Sequence, residues 1–250
     1  MIFNTTLRKS ASLRAVGLFS LLWICSPAHA VVISDGTFNP GDWAEQIVYD
    51  ATAGGASFSV TQQSAGGNPG DYREITHVYT GPGGMIVGHR LTSDAYDPAV
   101  QGALGSLDYS LDAEFISQAG GSVPGAVGIT MILYQNSTWY NAYYDAVVPP
   151  FNTWQSVATL GLTASDFSLI TGAGPALPDF SATGAAMQFG FGSSNGSCCG
   201  GQNTVVSGID NFSVTTHPAT PVPEPGSLAI MSLGLVGLGF TRRDIWSRRS

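Results

Sequence analysis

Leu107-Asp108-Tyr109-Ser110-Leu111-Asp112-Ala113-Glu114-Phe115-Ile116 is the stretch that decides the fold. Apolar side chains stand at 107, 109, 111, 113 and 115, with Asp108, Asp112 and Glu114 between them. Successive side chains of a strand point to opposite faces, so this period of two predicts a strand with one face in a core and the other toward water. The same period recurs on both sides, at residues 43–49, 57–61, 72–79, 85–91, 127–134, 139–145, 154–160, 187–191 and 205–214. Gly, Pro, Asn and Asp punctuate it every ten residues or so. Gly81-Pro82-Gly83-Gly84 reads as a turn joining the third and fourth of these strands, and Asn136-Ser137 as the turn of a hairpin. Thr163-Ala164-Ser165-Asp166 can open a single helical turn. About ten short strands and no long helix predict an all-β chain, folded as a single jelly-roll β-sandwich.

The 250 residues leave room for one such domain once the two ends are set aside. At the amino end Arg8, Lys9 and Arg14 precede an apolar run over 15–24 and then Ala28-His29-Ala30. That order of charge, apolar run and small-x-small is a secretory signal peptide, residues 1–30, with Val31 as the expected new terminus. A lipoprotein signal built on Cys25 does not fit, because Trp23 and Ile24 are too bulky beside it. The sandwich is expected over 31–216, followed by a linker at 217–221.

The carboxyl end holds Pro223-Glu224-Pro225, an almost wholly apolar run over 226–240, and Arg242, Arg243, Arg248 and Arg249. Residues 226–241 would make about 24 Å of helix at ~1.5 Å per residue, short for a hydrocarbon core of about 30 Å. Flanking arginines can snorkel, and their excess holds that end cytoplasmic, so a short transmembrane helix is expected. This order of motif, apolar helix and basic cluster resembles the PEP-CTERM sorting signal of bacteria that make exopolysaccharide. The resemblance covers residues 222–249 and implies an exosortase of the inner membrane as partner. It further implies cleavage near Pro223-Glu224-Pro225 after transient anchoring, then release or attachment at the cell surface or extracellular matrix.

Between the two ends, residues 31–221 carry 15 Asp and Glu against Arg73 and Arg90 alone, with no lysine, a net of −13. Such a surface repels phosphate backbones and excludes nucleic acid as a partner. Cys198 and Cys199 are the two cysteines of the mature domain; adjacent as they are, they give no disulfide framework and no zinc spacing. A vicinal disulfide between them, or a link to another chain, is compatible with export.

The sandwich resembles the galactose-binding-like jelly rolls, a superfamily that includes carbohydrate-binding modules. Asp35-Gly36-x-Phe38 with Asp42-Trp43, Leu107-Asp108-Tyr109, Trp154-Gln155-Ser156-Val157 and the closing 208–214 segment carry that resemblance. It implies a candidate calcium site at Asp35, Asp42 and Asp210, hard oxygen ligands tying the first strand to the last; the alternative is that Asp35 and Asp210 make turns and cap backbone N–H groups. Tyr134, Trp139, Tyr140, Tyr143 and Tyr144 lie within eleven residues, with Trp154 beyond them. Alternation puts Trp139, Asn141 and Tyr143 on one face and Tyr140, Ala142 and Tyr144 on the other. Trp139 has more apolar area to bury and Ala142 leaves space, so Tyr140 and Tyr144 are the expected outward pair, a candidate platform for the apolar face of a sugar with Asn141 at its rim. His77 and His89 fall on neighbouring expected strands near Arg73, Glu74 and Arg90, and read as surface or internally satisfied side chains. No Gly-x-Ser-x-Gly, His-Glu-x-x-His or phosphate loop occurs, and no catalytic residue is assigned. The expectation is a non-catalytic surface or matrix protein that binds extracellular polysaccharide. Its rivals are a secreted polysaccharide-active hydrolase or lyase, with a carboxylate pair about 5 to 9 Å apart, and a structural coat or adhesion protein.

Overall fold

A computed structural model describes residues 29–120, 125–197 and 201–219. Most of the expected signal peptide, the Cys198–Cys199 pair and the sorting tail with its apolar run lie outside the described residues. Twelve strands occur among them: β1 (Val31–Asp35), β2 (Trp43–Asp50), β3 (Ala56–Gly67), β4 (Gly70–Thr80), β5 (Gly83–Leu91), β6 (Leu104–Ala119), β7 (Val127–Gln135), β8 (Thr138–Val147), β9 (Gln155–Leu162), β10 (Ser168–Thr171), β11 (Met187–Ser197) and β12 (Gln202–Pro218). The ten expected strands are there, and the short β1 and β10 are additional. β12 runs on to Pro218, through the residues expected to begin the linker.

The strands form two six-stranded sheets with antiparallel pairing throughout. The first has the order β3-β4-β12-β6-β9, with β1 also on β12, and the second β10-β8-β7-β11-β5-β2. The period-two pattern of β6 is realised as read: Leu107, Tyr109, Leu111, Ala113 and Phe115 are buried between the sheets. Ile129, Met131 and Leu133 of β7, Phe189 and Phe191 of β11, and Met85 and Val87 of β5 meet them in one continuous core. β7 is buried on both faces, because Ile132 on its outer side lies under Trp139 and Val48. That is why its sequence reads as a continuous apolar run.

Asn136 and Ser137 take positive φ of 51° and 58°, the turn that a two-residue hairpin between right-twisted strands demands. Gly81-Pro82-Gly83-Gly84 is the expected turn between β4 and β5, and it carries the chain from one sheet to the other. The expected helical turn is a 3-10 turn over Ala164–Asp166, capped reciprocally by Thr163 and Asp166.

One irregularity decides where the aromatic hairpin points. Thr130 pairs with Tyr144 but Met131 pairs with Ala142, so Tyr143, at φ 54°, is an extra residue in β8. Alternation therefore changes phase at Tyr143. Tyr140 and Ala142 face the core, while Tyr144, 61% exposed, comes out on the opposite face.

Candidate functional site

The outer face of the first sheet carries an ordered row of side chains. Glu74 of β4 and Glu114 of β6 both pair with Gly208 of β12, so two carboxylates flank a glycine across three strands. Their backbones stand two strand spacings apart, about 10 Å. Trp154, just before β9, lies over the gap. A β-carbon on Gly208 would stand 3.0 Å from Trp154 Cη2 and 3.0 Å from Glu114 Cγ, so any larger residue obliges one or both side chains to shift by a few tenths of an ångström.

The indole is held on two sides. Trp154 Nε1 donates to the Gly66 carbonyl at 3.2 Å, and the ring meets Tyr72 edge to face at 5.6 Å. Tyr72 in turn donates its hydroxyl to Glu74 Oε2 at 3.2 Å. Burial, then the charges of Glu74 and Glu114, push the Tyr72 phenol up to about 12, so it stays a donor. The indole remains half-buried, with part of its surface in water.

Glu114 is the unusual member. It is only 7% exposed, yet its carboxyl accepts no hydrogen bond from any described residue. Burial, and after it the charge of Glu74, raise its pKa. The carboxyl oxygens are not fully buried and still reach water, and a ligand hydroxyl can take the place of that water.

Beside this row Asp112 closes the face with a saturated carboxylate. It accepts from Asn68 Nδ2 at 3.1 Å, Asn211 Nδ2 at 2.8 Å and Ser156 Oγ at 2.5 Å. Asp210 accepts from the backbone N–H groups of Asn68 and Asn211 at 2.5 and 2.6 Å. Burial raises its pKa, and those two bonds pull the other way.

The residues expected to share a calcium ion are spent elsewhere. Asp35 Oδ1 accepts from Thr37 N, Thr37 Oγ1 and Phe38 N, and Oδ2 accepts from Trp43 Nε1 at 2.7 Å. Both oxygens serve donors, which fix the turn after β1. Asp42 Oδ2 accepts from Asn39 Nδ2 in the next turn, and Asp210 is engaged as above. Among the described residues no group of three His, Cys, Asp or Glu is placed to hold a metal ion. Asp35 and Asp210 both accept from backbone N–H groups.

Of the expected aromatic platform, Tyr140 is 1% exposed and donates its hydroxyl to the Pro175 carbonyl inside the fold, so no ligand face is open there. Tyr140 was assigned outward because Trp139 has more apolar area to bury, but Trp139 finds that burial on the outer face, with Val48 and Ile132, and so Tyr140 takes the core side; the extra residue at Tyr143 then brings Tyr144 out. Tyr144 and Asn141 do lie on the outer face of the second sheet. Trp139 shares that face but is 4% exposed, packed beside Tyr134 and beneath Arg90.

His77 and His89 are neither neighbours in one sheet nor on the surface. They meet between the sheets through Ser193, whose Oγ lies 3.0 Å from His77 Nε2 and 3.1 Å from His89 Nε2. Asn195 donates Nδ2–H to the Ala126 carbonyl at 2.7 Å, so its Oδ1 accepts from His77 Nδ1 at 2.6 Å. That fixes His77 Nε2 as acceptor, Ser193 as its donor and His89 Nε2 as the donor to Ser193. His89 Nδ1 is left bare, without a partner. Burial lowers the His77 pKa to about 4 and that of His89 well below its usual value, so both are neutral. Ser193 is 0% exposed, so this chain of donors supports the core and offers no nucleophile to a substrate.

The residues outside the described structure speak through their sequence. The family model described as the PEP-CTERM protein-sorting motif matches residues 221–243. The chain carries a PEP-CTERM sorting motif. The PEP-CTERM match implies export and passage through an exosortase at the membrane. No helix among the described residues is long and apolar enough to cross a membrane.

No curated protein matches the sequence. Among solved structures, the chain is similar to a family 11 carbohydrate-binding module from Clostridium thermocellum in complex with a β-1,3-1,4-mixed-linked tetrasaccharide. Identity is 12% and the TM-score 0.42, over 76% of this chain and 96% of that one. A C-terminal family 22 carbohydrate-binding module of Clostridium thermocellum Xyn10B is similar at 12% identity and a TM-score of 0.39, with 76% and 96% covered. At this level of likeness no ligand carries over.

Neither the Trp154 row nor the buried histidine chain was assigned from sequence. A signal for the first was present, since Gly208 interrupts an otherwise apolar strand pattern, and a glycine there marks a close approach.

Proposed function

We propose that the sandwich is a non-catalytic glycan-binding module, exported and held at the cell surface or in the extracellular matrix, which grips polysaccharide on the outer face of its first sheet. The observation that carries the reading is Trp154 laid over Gly208 beside Glu114, a buried carboxylate with no donor of its own. A sugar ring presents an apolar C–H face to an indole and hydroxyl donors around its edge. Glu114 and Glu74 would accept from those hydroxyls, and bonds to a charged acceptor are worth about 1.5 to 3 kcal/mol each. The net charge of −13 over residues 31–221 repels acidic chains, so the ligand class is a neutral polysaccharide.

The hydrolase reading draws on the same row, with Glu114 raised toward a general acid and Glu74 as its partner. The indole tip argues against it, because Trp154 Cη2 fills the gap over Gly208 where a scissile bond would have to lie between the two carboxylates.

Affinity electrophoresis of the purified protein in gels holding xylan, mixed-linkage β-glucan or galactan tests the proposal, with reducing-sugar release measured in parallel. Retardation by at least one polysaccharide, lost in Trp154→Ala and without sugar release, is the expected result. Retardation that survives Trp154→Ala rejects this face, and sugar release abolished by Glu114→Gln would turn the assignment to the hydrolase.

A further inference from the structure

A second site lies in the seam where the edge strands of the two sheets face each other. β2 closes one side and β3 the other, and between them is a cavity of about 280 Å³ lined by Pro40, Glu45, Phe58, Val60, Gln62 and Arg73, with Ser59 at its rim. That volume is near the lower end of the range for small-molecule pockets, about 300 to 1,000 Å³. It suits one ring, not a chain.

Arg73 is what marks the cavity as built. It is 2% exposed, on a strand whose inward positions otherwise hold Ile75, His77 and Tyr79. A guanidinium has five N–H donors. Here Nη2 is paired with Glu45, the flat face lies 5.2 Å from the centre of the Trp43 ring, and Nε has no partner. Nη1 likewise makes no bond to a described residue. The buried Nε lacks a partner, which is costly, and the cavity beside it is large enough to admit a ligand that meets the guanidinium's free donors.

The opposite wall supplies acceptors. Glu45 is 26% exposed, uses Oε1 on Arg73 and leaves Oε2 without a described partner. Donors on one wall and a carboxylate on the other match a pair of neighbouring hydroxyls, each of which accepts and donates at once. Phe58 and Val60 form the apolar side, for the ring's C–H face. The charge balance selects further, since Asp35 also acts on Arg73 and two carboxylates outweigh one guanidinium. An acidic ring would be repelled.

We infer that this seam cavity binds a single neutral sugar residue, a chain end or branch, through Arg73 and Glu45 against Phe58 and Val60. The Trp154 face and the seam are separate surfaces, so each molecule would then hold two glycan segments and link them. That linking depends on the glycan reading of the Trp154 face; occupancy of the cavity does not.

Titration calorimetry of the purified protein with glucose, galactose, mannose, xylose, N-acetylglucosamine and glucuronate tests it. At least one neutral sugar should bind one per chain, and glucuronate at least tenfold more weakly. Val60→Trp, which fills the cavity and keeps both Arg73 and Glu45 in the chain, should abolish binding, and Phe58→Ala should weaken it tenfold or more; circular dichroism establishes which variant is folded. Trp154→Ala should leave it unchanged. Absence of saturable binding by every neutral sugar, binding untouched in a folded variant of Val60 or Phe58, loss in Trp154→Ala, or glucuronate binding as tightly as the best neutral sugar each overturns the assignment. Loss of polysaccharide retardation with monosaccharide binding intact would sink the Trp154 face and leave the cavity standing.

Discussion

Trp154 rests on Gly208, and a β-carbon added there would stand 3.0 Å from Cη2 of the indole. The glycine therefore lets the tip of the indole come close to the sheet, while the bond to the Gly66 carbonyl and the Tyr72 ring hold it there. Gly208→Ala should push the indole and the Glu114 side chain off the sheet, costing about 1 to 3 kcal/mol of stability as overpacking does. Retardation by polysaccharide should fall together with a change in tryptophan emission. A variant with the parent's melting temperature, emission and retardation would show that the ring's seat is irrelevant.

The buried histidines make stability depend on pH in a definite direction. His77 is lowered to about 4 in the fold, against about 6.5 in an unfolded chain, and His89 is lowered further by burial, then by Arg73 and His77. Between those values the unfolded state binds protons that the native state refuses, so stability falls as pH drops from about 6.5 toward 4. Each histidine contributes up to about 1.4 kcal/mol per pH unit across its window. Glu114, raised by burial and by Glu74, works in the opposite sense but begins from a carboxylate's range. Urea midpoints at pH 8, 6.5 and 5 should decline over the last interval, and His77→Asn should flatten that decline. A midpoint independent of pH over that interval would mean that the two imidazoles titrate normally.

The alternation at 107–116 gave the sandwich, because a half-buried strand writes its two faces directly into the chain. Tyr140 was misplaced because Trp139, expected to fill the core, is buried instead on the outer face with Val48 and Ile132, and the separation of Tyr140 from Tyr144 was hidden for a second reason. A bulge at Tyr143 has no signature in residue type, yet it inverts every position beyond it in β8. Glu74, Gly208 and Glu114 are 134 residues apart from first to second and meet only through strand order, which periodicity does not report. His77, Ser193 and Asn195 are hidden likewise, since each looks like an ordinary polar strand residue until the two sheets are stacked.

The sorting reading predicts the mass of the finished protein. β1 begins at Val31, whose N–H donates to Thr216 Oγ1 at 3.1 Å, so the expected cleavage after Ala30 leaves the first strand whole. At the other end β12 stops at Pro218, ahead of the motif at 221–243. Intact-mass measurement on protein from the native host should give a chain that starts at Val31 and lacks Trp246 and Ser250. A mature species that keeps both of those residues contradicts removal of the tail.

Tyr140 and Tyr144 should separate cleanly under mutation, because the extra residue at Tyr143 puts them on opposite faces of β8. Tyr140→Ala removes a ring that is 1% exposed and abandons the bond to the Pro175 carbonyl, a loss of about 3 to 5 kcal/mol for a buried aromatic. Tyr144 is 61% exposed, lying along the outer face above Gly128, so Tyr144→Ala should cost well under 1 kcal/mol. Chemical denaturation gives both figures, and polysaccharide retardation adds the functional half. With Trp154 as the gripping ring, Tyr144→Ala leaves retardation intact while Trp154→Ala removes it. The reverse pattern would transfer the glycan face to the second sheet, where Tyr144 and Asn141 stand, and would leave the Glu74–Gly208–Glu114 row as a feature of the fold alone.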